Sequence, residues 1–376
     1  MNASETQQSN QHIDYQMLGF ATVERRQAEL SSQIQVGCSV LCIGSAQPNL
    51  RACVRLYKPE ISTMTIQDHL ALEGINNDNL SIFKAIGVDY VAVMHPPPPK
   101  PGDQADIWRD IRKKVESHGM KFNNVGLRPA KEITLGKPGR DEHIEGWCTL
   151  IRNMGQAGVP TLCYNFRGIG NFRTARTIGR GGASYSTFDY DEFMKESPDY
   201  PDHHISEEKL RANLKHFLEQ IVPVAEEADV QLTMHPDDPP RPEPLGGAAR
   251  ILSTLDDFER MFREVPSHLN TMLFCQGCVR EMGEDVPTAI RRIGAQNKIA
   301  AVHFRNLRGT PDKFQEVFVD EGDVDMYQAM QTYREVGFEG PFMMDHTPSF
   351  PQENAQWAGR AFAVGYIRSM IQAVYR

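Results

Sequence analysis

The chain has 376 residues, 24% of them charged and 40% hydrophobic, which suits a soluble protein with a sizeable core, and its net charge is −9. An acidic chain without a concentrated basic face lacks the footprint that a phosphate backbone requires, so nucleic acid is excluded as a partner. No run approaches the roughly 18 apolar residues of a membrane span, which excludes a membrane protein.

Residues 1–50 read as an N-terminal extension, disordered over its first dozen polar residues. Within it, Arg25-Arg26 ahead of the apolar run Val36 to Ala46 faintly resembles a twin-arginine export signal. Glu24, Glu29 and Ser31-Ser32-Gln33 oppose that alternative. Seven cysteines, an odd number scattered from Cys38 to Cys278, fit reduced thiols in the cytoplasm. Cys275 and Cys278 have CxxC spacing, but no second pair follows to make a zinc ribbon.

From residue 51 onward the pattern alternates strand and helix. Ala52 to Tyr57 is the expected first strand, and a helix through Leu80, Phe83 and Ile86 stops at Gly87. The second strand is 88–94, ended by the stiff run Pro96 to Pro99. A helix over 107–118 leads to a third strand at 121–127. A helix from Ile144 to about Gly158 leads to a fourth at 161–166. Gly168 to Gly182 lacks the GxxxxGK[ST] of a phosphate loop and reads as a lid or contact loop whose arginines face an anionic substrate. Ser206 caps a helix with apolar positions Leu210, Leu214, Phe217, Ile221 and Val224, which Pro223 should kink. Strand five ends at His235, Thr254 and Asp257 form a capping box, and strand six ends at Cys275. Pro287 opens the next helix, strand seven ends at His303, and the helix of 323–336 leads to strand eight, ending at Asp345. Eight such units make an α/β fold, a (β/α)8 TIM barrel over residues 51–376 as a single domain behind the extension.

In that barrel the carboxyl ends of the strands ring one mouth, so His235, Cys275, His303 and Asp345 are placed to meet around one divalent cation. Two imidazoles, a thiolate and a carboxylate suit Zn2+ or Fe2+, and the oxygen donors also allow Mn2+. His346, next to Asp345, is positioned as a general acid or base, or as a partner of a ligand. Asp237 and Asp238 lie in the loop above the ion, to hold a ligand, a substrate hydroxyl or the turn itself. Arg241, Arg305 and Arg308 are the expected partners of a substrate carboxylate, with Asn165 a further substrate-binding group.

The stretches HPDDPPRP (235–242), Cys275-Gln276-Gly277, HFRN (303–306), FQEVFVDEGDVDMY (314–327) and PGRDEHIEGWCTLIRNMGQAGVPTLCYNF (138–166) resemble signatures of the mannonate dehydratase family. The likeness runs from about Leu80 to the C-terminus. It implies a manganese-binding barrel that removes water from D-mannonate to give 2-keto-3-deoxy-D-gluconate in hexuronate breakdown. By the same resemblance the metal ligands fall on His235, Cys275, His303 and Asp345, and a catalytic histidine on His346. A small sugar acid is then the partner, and a homo-oligomer is expected.

Three positions depart from the family. Met343-Met344 replaces Arg-Pro before the Asp-His pair, Glu353 to Trp357 offers no tyrosine where a Pro-Gly-Tyr turn is expected, and Asp-Trp-Thr-Arg appears as Asn171-Phe172-Arg173-Thr174. Asp237 or Tyr164 would then supply the second proton-transfer group. An isomerase, epimerase or β-eliminase of another sugar, or a non-catalytic sugar-acid-binding paralogue, stand as alternatives.

Overall fold

Short apolar runs, each followed by a helix, assemble into one parallel sheet in the computed structural model, which describes residues 64–376 apart from Lys100, Pro101, Ser197, Asn354 and Arg376. The strands in chain order are β1 (Gln67–Ala71), β2 (Tyr90–Met94), β3 (Lys121–Leu127), β4 (Thr161–Tyr164), β5 (Thr177–Ile178), β6 (Ser184–Asp189), β7 (Gln231–Met234), β8 (Asn270–Cys275), β9 (Ile299–His303), β10 (Leu307–Thr310), β11 (Lys313–Glu316) and β12 (Phe342–Met343). Eight of them pair in the order β1-β2-β3-β4-β7-β8-β9-β12. A parallel bridge between Ile66 and Phe342 brings the last strand back to the first, which makes the sheet a barrel.

The expected strand at 52–57 lies outside the described residues. The first strand of the sheet is β1, whose sequence QDHLA buries Gln67 and Asp68 as well as Leu70. Two adjacent buried polar residues, one on each face of the strand, erase the apolar alternation that would mark it. The other seven barrel strands overlap their expected positions.

Alternation along each strand sends one set of side chains inward and the other toward the helices. Cys163, Leu273 and Ala301 form a small cluster of their own, while Leu162, Tyr164, Leu232, Met234, Phe274 and Val302 join the main core. That core is richest where helix Arg140–Ala157 meets helix Glu207–Ala228: the Phe217 ring lies 5.1 Å from Trp147, 6.0 Å from Tyr164 and 5.6 Å from Phe166. Gly155 permits the close approach, since a Cβ there would stand 2.5 Å from the Ala228 carbonyl oxygen. The second helix starts with the Ser206 hydroxyl accepting from the Lys209 amide, and is one continuous element that includes Pro223. The Thr254–Asp257 capping box is formed, and Asp285 caps the helix that carries Pro287 in its first turn.

A second, antiparallel sheet of order β10-β11-β6-β5 was not expected from the sequence. It uses part of the anticipated lid loop as β5 and pairs Phe314 of β11 with Phe188 of β6. Its small core of Phe188, Phe193, Leu245, Leu307 and Phe314 is separate from that of the barrel. A bridge from Ser184 to Ser349 ties it to the loop after β12. Among the described residues no helix is long and apolar enough to cross a membrane.

Replacing Phe217 by Ala removes the ring on which three other aromatics rest. Urea unfolding should report a loss of about 3–5 kcal/mol, and a loss below about 1 kcal/mol would mean that this interhelical core closes without it.

Candidate metal centre

The last turns of β7, β8, β9 and β12 converge at one mouth of the barrel. His235 follows β7 directly, Cys275 and His303 end β8 and β9, and Asp345 lies two residues past β12. Asp345 has φ +68°, a left-handed conformation that Asp and Asn adopt more readily than other side chains. One donor atom from each of the four residues lies within 4.8 Å of all the others.

At His235 the hydrogen bonding leaves a lone pair for the centre. His235 Nδ1 donates to the Pro236 carbonyl oxygen at 2.8 Å, which leaves Nε2 as the acceptor nitrogen. The His235 and His303 rings are 5.3 Å apart. His303 Nδ1 is 3.3 Å from Asp345 Oδ1, yet is buried without an aligned hydrogen bond. Burial alone would raise the Cys275 thiol, but hydrogen bonding with Cys278, the Arg305 charge and the two imidazoles outweigh it and hold it well below its usual value. Burial likewise pulls His303 down, and Asp345 and Cys275 overcome this, raising it to about 9. A buried thiolate, an orphaned imidazole nitrogen and a carboxylate at this spacing fit a divalent cation of the first transition row.

Arg305 lies beside this group, 3% exposed along its side chain. Its Nη1 donates to Asp345 Oδ2 at 3.0 Å and lies 3.3 Å from Glu316 Oε1 and 3.7 Å from Asp238 Oδ2. Its Nη2 donates to Glu281 Oε1 at 2.5 Å and to Cys278 Sγ at 3.6 Å. Burial raises Glu281 far above the usual carboxyl range, reinforced by Asp238 and opposed by Arg305. Burial also pushes Asp238 and Glu316 upward, but their net shift is down: Arg173 and Arg305 dominate for Asp238, His346 and the same arginines for Glu316. Gly277 makes room for this guanidinium, since a Cβ there would lie 2.1 Å from Arg305 Nε.

A cavity of about 520 Å³ is lined by three of the four candidate ligands, His235, His303 and Asp345, while Cys275 is fully buried beside them. Of the residues singled out in the sequence, Tyr164, Asn165, Asp238, Arg305 and His346 line it. His346 is 45% exposed, with Nε2 3.4 Å from Glu316 Oε2. Cys163 takes the inward position, so the Tyr164 ring turns to the helices, against Trp147 at 5.7 Å, with its hydroxyl buried and unpartnered among the described residues.

Asp237 caps a turn and does not line the cavity. Its Oδ2 accepts from the Ile251 and Leu252 amides, both at 2.8 Å, and Oδ1 lies 3.8 Å from Arg250. Arg241 is committed away from the cavity, donating to Asp312 and Glu243 and stacking 3.9 Å above the Tyr190 ring. Arg308 pairs with Glu321 at 3.5 Å. Cys278, read as a bystander, supports both Cys275 and Arg305.

Sequence reasoning passed over Glu281, Glu316 and the cavity arginines Arg128 and Arg167. Glu316 stands inside a quoted signature stretch, FQEVF, but only the second sheet reveals that it faces the mouth. For Glu281 the signal was spacing, six residues beyond Cys275 on the short helix Gln276–Glu281.

The sequence model of the family described as D-mannonate dehydratase (UxuA) matches residues 64–200 and 199–376. The mannonate dehydratase of Thermotoga petrophila is 30% identical over 306 residues, covering 70% of this chain and 84% of that protein. The crystal structure of mannonate dehydratase from Streptococcus suis serotype 2 superposes with a TM-score of 0.75 at 26% identity, over 82% of this chain and 94% of that one. D-psicose 3-epimerase from Clostridium cellulolyticum shares the fold, with a TM-score of 0.57 at 12% identity over 82% and 99% of the two chains.

Substituting Gly277 by Ala forces the added methyl into Arg305. Thermal or urea unfolding should register about 1–3 kcal/mol of destabilisation, and a variant as stable as the parent would show that Arg305 has another place to lie.

Proposed function

The chain belongs to the D-mannonate dehydratase family, a family of hydro-lyases acting on sugar acids, and on that premise we propose that it dehydrates D-mannonate to 2-keto-3-deoxy-D-gluconate with a divalent cation held by His235, Cys275, His303 and Asp345. Mn2+ is the proposed ion, and Fe2+ or Zn2+ are compatible with the same donors. The observation that carries the reading is the meeting of these four donors within 4.8 Å beneath a cavity that also exposes His346.

When bound, the cation supplies a Lewis acid that makes the C2 proton of a chelated hydroxy acid removable. His346 is the half-exposed base above the ligands, and Glu316, 3.4 Å from its Nε2, steadies the imidazolium formed when that proton arrives. The C3 hydroxyl takes up a proton and departs as water. The enol left behind ketonises at C2 as a proton is added at C3, so atoms balance. Arg173, 2.6 Å from Asp238 and 2.5 Å from Glu316, keeps both carboxylates ionised beside the reacting acid. Arg305 serves by orienting Asp345 in place of gripping the substrate carboxylate directly.

Purified protein with Mn2+ should convert D-mannonate to the 2-keto-3-deoxy acid, detected by chromatography, and lose this activity on chelation. His346→Asn should lower kcat by about 10²–10⁴-fold, whereas Tyr164→Phe should keep it within about twofold because its hydroxyl faces the helices. No keto acid from D-mannonate, or full activity in His346→Asn, would overturn the assignment.

Metal affinity should depend on pH in a defined direction. His303, raised to about 9, is protonated at neutral pH and must release that proton to bind a cation. Mn2+ affinity, followed through the electron paramagnetic resonance of the free ion, should therefore rise by up to about tenfold per pH unit from pH 7 and level off above about 9. Constant affinity from pH 7 to 9 would show that no proton leaves His303 on binding, so that it is either neutral at pH 7 or outside the ligand set.

A further inference from the structure

Five arginines line the cavity, and their neighbours divide them into two groups. Arg173 and Arg305 are matched to the cavity's carboxylates, Asp238, Glu316 and Asp345. Arg128, Arg167 and Arg176 have no carboxylate partner among the described residues. Arg176 is held by Ser184 and Ser349 through hydrogen bonds of 2.7 Å to Ser184 Oγ, 2.8 Å to Ser184 O and 3.3 Å to Ser349 Oγ. Arg128 makes no hydrogen bond or ion pair with the described residues. Arg167 donates to the Asn171 side-chain oxygen, while its Nε is buried with no partner. Burial pulls Arg167 down to about 10, with Asp237 and Asp238 countering only in part. A guanidinium so placed is poorly compensated by the protein alone.

A second feature lies against the same residues. A recess of about 150 Å³ adjoins the main cavity and shares Arg128, Asn165 and Arg167 with it. Lys131 and His203 also line the recess, and its wall contains no Asp or Glu. Lys131 is exposed and has no acidic partner among the described residues. The recess, at about 150 Å³, has room for a carboxylate or phosphate group. Arg128 directly follows β3 and Arg167 lies three residues past β4, and these two strands are neighbours in the barrel, so the two guanidinium groups stand on adjacent strand ends.

We infer that this recess is a second anion subsite, and that the dehydration proposed above is directed to sugar acids bearing a further carboxylate or phosphate ester at the end remote from the reacting carboxylate. Arg128 and Arg167 bind that group, and Lys131 adds charge at the rim. The inference rests on the dehydratase reading for its chemistry, but the subsite itself binds an anion whether or not the acid is dehydrated.

The test uses the full chain with Mn2+ and three acids: D-mannonate, its C6-carboxylate analogue and its C6-phosphate analogue. At least one dianion should show kcat/KM tenfold or more above D-mannonate, and whichever analogue wins identifies the group. The double variant R128Q/R167Q should raise KM for that dianion tenfold or more and change KM for D-mannonate less than twofold. Lys131→Gln, on an exposed residue, should shift the same KM in the same direction and covers the case in which the double variant fails to fold. Independently, inorganic phosphate at matched ionic strength should raise the melting temperature of the parent protein and not that of the double variant. Equal kcat/KM for all three acids, or dianion KM values indifferent to the substitutions, overturns the subsite. If no acid loses water, the dehydratase reading falls, and the phosphate-dependent melting shift then decides the subsite alone: its presence in the parent and loss in the double variant supports it, and its absence from the parent overturns it.

Discussion

The buried guanidinium of Arg305 is the charge on which the mouth of this barrel depends. It lies within 3.7 Å of oxygen atoms from Asp238, Glu281, Glu316 and Asp345, groups from four different segments of chain. Taking several carboxylates out of water is unfavourable unless a cation shares their volume. One planar group with five donors can satisfy several of them at fixed angles, which a lysine ammonium cannot. The consequence is architectural as well as electrostatic: through Glu316 the second sheet is fastened to the end of β9, and through Asp345 a candidate metal ligand is fixed in direction before any ion arrives. A ligand set whose orientation is already set by the protein has less to reorganise on binding.

This also explains which parts of the molecule could be read from the sequence. Strand ends are legible because a run such as IAAVH announces both its period and its terminus, and the helices between such runs carry caps and glycine stops that agree with them. The convergence of His235, Cys275, His303 and Asp345 follows from that pattern plus barrel closure. The function of a residue beside a strand end is not legible in the same way. Asp237 and Asp238 are adjacent, identical in type and both buried, yet one caps a turn and the other faces the cavity. Arg241 and Arg305 are equally suited to a carboxylate by chemistry, and only the positions of Asp312 and Glu281 separate a surface clamp from a central brace.

Two losses of signal have specific causes. β1 escapes notice because two adjacent positions at its start, one on each face, are the buried polar residues Gln67 and Asp68, so the strand lacks the apolar alternation that defines one in sequence. The antiparallel sheet was missed because β5 and β6 are more than 115 residues from β10 and β11, and short strands in loops are specified by their partners more than by themselves. Tyr164 illustrates a third kind of error: its parity on β4 is opposite to that of Cys163, so a position one residue from the interior points into the helical layer.

The same fold at 12% identity serves an epimerase, so the barrel by itself does not choose a reaction. What distinguishes one such mouth from another is the distribution of charge once the structural pairs have been set aside. Here Arg173 and Arg305 are consumed by carboxylates, and His346 lies beside Glu316 at the mouth. Arg128 and Arg167 remain, with Lys131, around a recess without acid. A cation already matched inside the protein has little to gain from a substrate, whereas an unmatched one gains most of its interaction energy from whatever anion enters. Counting arginines would assign five equivalent binding groups to this cavity. Pairing them first separates the ones that build the site from the ones that read the substrate.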